Sequence, residues 1–205
     1  MKQTWAAVMV LTLAWAGGVA AAVQDPLELV QKTSEEILGK VREERAAIDN
    51  NPRRLYQLVN EIVLPHFDFE RMSRWVLGKY WRRASPQQRR RFVAEFRSLL
   101  VRTYAKSLAE YTDNKIEYLP LRRRPGAEEV TVRTEVEQAG GFPIPIDYSL
   151  YLQGGSWKVF DVVIDGVSLV TNYRSTFASE VRRGGLDKLI ADLADRNQRE
   201  SGRGG

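Results

Sequence analysis

The sharpest change of pattern along the chain falls between Trp157 and Phe177, in the run WKVFDVVIDGVSLVTNYRSTF. Its first half alternates with period two. Trp157, Val159 and Val163 fall on one side, and Phe160, Val162 and Ile164 on the other. A strand apolar on both sides belongs inside a structure rather than at its edge. Asp165-Gly166 ends the alternation, because Gly supplies the backbone angles of a sharp exit. Beyond it the period becomes helical, with Val170, Tyr173, Phe177 and Val181 in one stripe. One segment thus predicts a central strand and a helix able to fold back over its sheet.

Upstream, the pattern predicts helices. Asp25-Pro26-Leu27-Glu28 reads as a capped start with a capping box, followed by Leu27, Val30, Ile37, Val41 and Ile48 on one apolar side. Asn51-Pro52 opens a second helix carrying Leu55, Leu58, Val59, Ile62 and Val63, and Pro65 stops it. Asp68 caps a short third helix with Met72, Trp75, Val76 and Tyr80. Ser85-Pro86-Gln87-Gln88 is a second capping box and starts the longest helix, to about Tyr111. Phe92, Phe96, Leu99, Leu100, Tyr104, Leu108 and Tyr111 form its broad apolar face.

Period two then returns. Ile116 and Tyr118 predict a strand ending at Pro120. Val130, Val132, Thr134 and Val136 alternate with polar neighbours, as do Ile144, Ile146, Tyr148, Leu150 and Leu152. Gly140-Gly141 and Gly154-Gly155 supply the turns. After Phe177 the helix should end at Gly184-Gly185, and Leu186, Leu189, Ile190 and Leu193 mark a last one. The fold class is therefore α+β, with helices on one side of a curved, four-stranded antiparallel sheet. Residues 51–84 suggest a small helical subdomain and 86–183 a sheet-and-helix body within one domain over 23–198. Residues 199–205 read as a disordered tail.

Composition adds a compartment. Lys2, the apolar run Trp5–Ala16 and Ala20-Ala21-Ala22 resemble an exported leader with its cleavage site, placing a signal peptide at 1–22. With 205 residues and 43% apolar content, the remainder is long enough for one real core. The chain has no Cys, so disulfides, thiol catalysis and thiolate metal sites are excluded.

Catalytic chemistry is sparse. His66 is the single histidine, beside Pro65, and reads as structural. No phosphate-binding glycine loop, nucleophile elbow or zinc-helix motif is present. Asp161 and Asp165, four apart, leave one enzymatic reading open: a buried carboxylate acting as acid or base. Two other features stand out. The apolar faces are wide and aromatic, which suits either a close-packed core or a ligand cavity. Arginines cluster at Arg82-Arg83, Arg89-Arg90-Arg91 and Arg122-Arg123-Arg124, within a net charge of +5. These are solvated faces or attractors of lipid phosphate or an acidic partner. Export argues against nucleic acid.

The run from Trp157 to Phe177 resembles the C-terminal signature of the MlaC, or toluene-tolerance, family of periplasmic phospholipid-binding proteins. Trp157, Phe160, Asp161, Gly166, Ser168, Asn172, Tyr173, Arg174 and Phe177 all match. The likeness continues through PHFDFERMSRWVLGKYWRRASPQQRRRFVAEFRSLLVRTYA and covers nearly all of the mature chain, though not the tail after Leu193. The resemblance implies an NTF2-like cone of sheet and helices with a small helical subdomain, and a non-enzymatic carrier without cofactor or metal. Its implied ligand is a glycerophospholipid. The implied partners are an MlaA–porin complex at the outer membrane and MlaD of the MlaFEDB complex at the inner membrane. We expect a monomer. On the inward faces, the expected lipid lining is Trp75, Phe96, Leu100, Tyr104, Tyr148, Leu150, Val163, Val167, Val170 and Tyr173. Arg174 is expected at the pocket mouth, or pairing with Asp161 or Asp165 at the strand-to-helix junction. The alternative is a small-molecule enzyme on the same cone, using Asp161 or Asp165.

Overall fold

The structure, a computed structural model, describes residues 23–202 except Pro125. The expected leader and residues 203–205 of the expected tail lie outside the described residues. The order is helices, a meander of strands, and a helix: α1 (Pro26–Glu43), α2 (Arg45–Asn50), α3 (Arg53–Leu58), α4 (Phe69–Leu77), α5 (Lys79–Arg83), α6 (Pro86–Glu110), β1 (Ile116–Tyr118), β2 (Glu129–Val136), β3 (Ile144–Gln153), β4 (Ser156–Ile164), β5 (Val167–Ser168) and α7 (Leu169–Gly202). The sheet is antiparallel with the strands in sequence order. It has five strands rather than four, because Val167–Ser168 turns back on Val163–Ile164 before the helix begins.

Local chemistry explains most boundaries. Asp25 accepts from the N–H groups of Leu27 and Glu28, capping α1. Glu28 does not complete a capping box; its carboxylate pairs with Lys32 one turn on. Ser85 and Gln88 do form the reciprocal box at the start of α6. Gly154 (φ 56°) and Gly155 (φ 83°) form a two-residue hairpin between β3 and β4. Asp165 (φ 49°) and Gly166 (φ 76°) do the same between β4 and β5. Two-residue loops with positive φ twist in the sense that the strands need.

Several expected helices are divided. The first breaks at Glu44, so Ile48 sits on α2. The second widens into a π turn at Val59–Val63, where the N–H of Leu64 reaches the carbonyl of Val59. A 3-10 turn at Leu64–His66 follows. Pro65 has no N–H to continue an α-helix, and the chain loosens as it approaches that position. The third helix stops at Gly78 (φ 52°, ψ −117°), which moves Tyr80 onto α5. Gly185 (φ 83°, ψ 170°) kinks α7 where a helix boundary was expected. Beyond it the helix continues to Gly202, so Arg199–Gly202 is helical rather than an irregular tail.

The core has two parts. Phe92, Phe96, Tyr173 and Phe177 interlock between α6 and α7, with ring centroids 5.4–5.9 Å apart. Edge-to-face pairs at such spacing add to plain burial. The second part faces the sheet. In β2 the inner residues are Val130, Val132, Thr134 and Val136, paired across to Leu150, Tyr148, Ile146 and Ile144.

In β4 the inner set is not the one that strict alternation predicts. A bulge lies opposite Ser149–Leu150, where Ser149 pairs with Asp161 and Leu150 with Val159, leaving Phe160 extra. One extra residue inverts the parity beyond it. Trp157 and Val159 share the inner face with Val162 and Ile164, and Val163 turns outward opposite Asp147.

Candidate functional site

A cavity of about 450 Å³ separates the inner face of the sheet from the helices. Ile37 and Leu38 of α1 form one wall. Val59, Val63 and Leu64 of the π and 3-10 turns, with Phe67, Phe69 and Met72, form the next. Leu100, Val101, Tyr104, Ala105 and Leu108 of α6 form the third. The sheet closes it with Ile116, Val136, Ile144, Ile146, Tyr148, Val162 and Ile164. Among the described residues, none that lines it is Asp, Glu, Lys, Arg or His, and the polar side chains are Ser34, Ser107 and the tyrosines.

The tyrosines report how dry this space is. Burial pushes the Tyr104 phenol up to about 12, helped by the nearby Tyr173 phenol and a hydrogen bond to it. Burial also pushes Tyr148 up to about 12, with Tyr118 adding and a Thr134 hydrogen bond opposing. Both phenols are therefore neutral at pH 7.

The segment before α4 is tied to the sheet by several contacts. Phe67 makes a parallel bridge to Val159, and the Asp68 N–H donates to the Val159 carbonyl at 2.9 Å. The Tyr151 hydroxyl donates to the Asp68 carboxylate, which also caps α4 at the Arg71 N–H. Lys158 Nζ donates to the Pro65 carbonyl at 2.6 Å. His66 sits beside that lysine, and burial with the Lys158 charge lowers its pKa. Among the described residues no cluster of His, Cys, Asp or Glu could hold a metal ion.

Three of the ten expected lining residues border the cavity: Leu100, Tyr104 and Tyr148. Tyr173 touches it indirectly, through Tyr104. Phe96 and Leu150 point inward but are sealed in the core at 0% exposure. Val170 is buried near the start of α7, outside the lining. Val163 lies on the outer face because of the bulge. Trp75 and Val167 are about half exposed, at 49% and 53%. The Arg174 guanidinium lies against Gly78, so near that a Cβ there would sit 3.4 Å from Nη2. It is away from the cavity and pairs with neither Asp161 nor Asp165.

Asp161 has another occupation. Its Oδ1 accepts from the N–H of Val162 at 2.9 Å and of Val170 at 3.1 Å, and its Oδ2 accepts from the Ser168 hydroxyl at 2.6 Å. It pins the start of α7 to β4. Asp165 is a turn residue whose N–H donates to the Pro145 carbonyl. Neither carboxylate borders the cavity, so neither is placed to act on a molecule held there.

Residues 31–195 match the MlaC protein family. The chain belongs to the MlaC family. It is 32% identical over 175 residues to toluene tolerance protein ttg2D of Pseudomonas putida, covering 84% of this chain and 81% of that one. It is 27% identical over 187 residues to the intermembrane phospholipid transport system binding protein MlaC of Haemophilus influenzae, covering 90% and 87%. Among solved structures, the phospholipid-binding protein from Ralstonia solanacearum, in complex with a phospholipid, superposes with a TM-score of 0.80. That match has 30% identity over 87% of this chain and 99% of that one. The α+β layout is thus the family's, and the Haemophilus influenzae and Ralstonia solanacearum relatives are named for phospholipid transport and phospholipid binding.

The lining residues that sequence reading missed come from every wall, from α1 and the π turn through α4 and α6 to the inner face of the sheet. Ile37, Val59, Val63, Val162 and Ile164 were all legible as apolar. No signal in the pattern distinguishes a face that closes on its neighbour from one that stands off.

Proposed function

We propose that this protein is a carrier of glycerophospholipid, holding acyl chains in the cavity between sheet and helices while the headgroup stays in water. The observation that supports it most is the uncharged lining of a space of about 450 Å³. That size falls within the roughly 300–1,000 Å³ of ordinary ligand sites. Acyl chains need apolar surface and no polar partner. Each methylene transferred from water contributes roughly 0.8 kcal/mol, so ten come to about 8 kcal/mol before ordering costs. The phospholipid-binding relatives support the same ligand.

The carrier works in the periplasm, a reading supported by the leader-like residues 1–22. It receives and delivers lipid at an MlaA–porin complex on the outer membrane and at MlaD of the MlaFEDB complex on the inner membrane. It acts as a monomer and catalyses no reaction. Lining residues Leu100, Tyr104 and Tyr148 contact the chains. Native mass spectrometry of protein purified without denaturant tests this: phospholipid should co-purify at a fixed stoichiometry. Protein that is lipid-free and takes up no phospholipid from vesicles would refute it.

A further inference from the structure

The two faces of α4 have different neighbours. Phe69 and Met72 turn to the cavity, while Arg71 and Trp75, one turn apart, turn away from it. Trp75 is 49% exposed yet held in place, its ring 6.1 Å from that of Phe160. Phe160 is the extra residue of the β4 bulge. The Arg71 guanidinium lies over Tyr151 at 3.9 Å and over Phe160 at 4.3 Å, completing a stacked platform.

Charge beside the platform is one-sided. Glu129 pairs with Arg71, Glu70 pairs with Arg74, and Asp161 is occupied at the start of α7. Lys79, Arg82 and Arg83 follow on α5, and Arg174 lies across Gly78. Among the described residues, none of these four is in an ion pair with a carboxylate, and all four are exposed. Arg89 differs, since it stacks on Trp81 and donates to the Trp81 carbonyl, a structural duty.

We propose that the ridge of α4, α5 and the start of α7, centred on Trp75 and Arg174, docks an acidic face of a partner protein. A rigid Trp, a stacked Arg and unpaired cations around them are the composition of an interface centre. Unpaired cations gain from carboxylates on a partner and speed encounter. A bilayer fits less well. The ridge faces away from the cavity, so a bilayer laid against it would not meet the space that holds the acyl chains. The proposal extends the carrier reading, since a carrier must dock to load and release, but it stands on different residues from those of the cavity.

The test places photoreactive p-benzoylphenylalanine at exposed Ser175, beside Arg174, in the full chain produced in a Gram-negative cell. Irradiation should join it to a protein through a peptide rich in Asp and Glu. Arg174→Glu with Lys79→Glu should cut the yield at least tenfold, and exchanging the partner's acids for Lys should restore it. Arg82→Glu with Arg83→Glu, which leaves Gly78 untouched, should act in the same direction and keeps the test valid if the first pair disturbs folding. A crosslink unchanged by either pair overturns the proposal, as does the absence of any protein crosslink. So does arginine-dependent binding to phosphatidylglycerol vesicles in its place. Lipid measured on the same samples judges the carrier reading separately: protein that is lipid-free and takes up no phospholipid from vesicles, yet still crosslinks, overturns that reading alone.

Discussion

Ala105 offers the cleanest perturbation of the cavity. It lies on α6, is 4% exposed and borders the space with its methyl group. Ala105→Leu keeps a strong helix former in a helix and projects three more carbons into a void of about 450 Å³. Those carbons take the room of about three acyl methylenes. At roughly 0.8 kcal/mol each, the loss is about 2.4 kcal/mol, or roughly fifty-fold in Kd. The empty protein should change the other way, because filling a void stabilises it by about 1 kcal/mol. The assay is competition of natural phospholipid against a fluorescent phospholipid, with thermal melting of delipidated protein alongside. Weaker binding with a higher Tm is the expected pair. Binding within threefold of the parent would show that chains do not occupy this wall. A lowered Tm would show that the wall is closed, not hollow.

Three further outcomes follow from other sites. Asp161→Ala removes the acceptor for the Val170 N–H and the Ser168 hydroxyl; a lost cap costs about 1–2 kcal/mol, roughly 2–8 °C in Tm by calorimetry. Ser73 is buried at 0% exposure and its hydroxyl has no hydrogen-bond partner, so Ser73→Ala should be neutral or stabilise by up to about 1 kcal/mol in urea unfolding. Tyr104 and Tyr148 are raised to about 12. The unfolded chain therefore loses these protons first, and stability should fall as pH rises from about 10 towards 12. Tyr148→Phe should flatten that decline when stability is followed against pH.

In β4 the alternation written in the sequence holds only as far as the bulge. Trp157 and Val159 are inward and the Asp165-Gly166 turn is where the glycine placed it. The bulge at Phe160 then reverses the rest of the strand. Val163, expected inside, faces out, and Val162 and Ile164 take the cavity. Nothing local marks the bulge, because its extra residue is defined by what β3 offers opposite. Arg174 shows the same limit. The family signature marked it, but only the packing of α7 on α4 puts it over Gly78.

What the sequence by itself determined is local: the Asp25, Asp68 and Ser85 caps, the Gly hinges, the meander order, the family and the apolar character of the facing surfaces. The caps and turns rest on interactions within a few residues, and the family on the resemblance carried by the run from Trp157 to Phe177. Tertiary structure alone decided that the apolar faces of α1, α6 and β2–β4 stand apart to leave a cavity, whereas those of α6 and α7 at Phe92, Phe96 and Phe177 close completely. The same residue types line both regions. Separation between faces depends on where the bulge bends β4 and where the π turn holds the α3–α4 segment, and both are set by partners distant in sequence. The opening run from Trp157 to Phe177 contains both outcomes: a strand end that faces the void, and a helix that seals the core beside it.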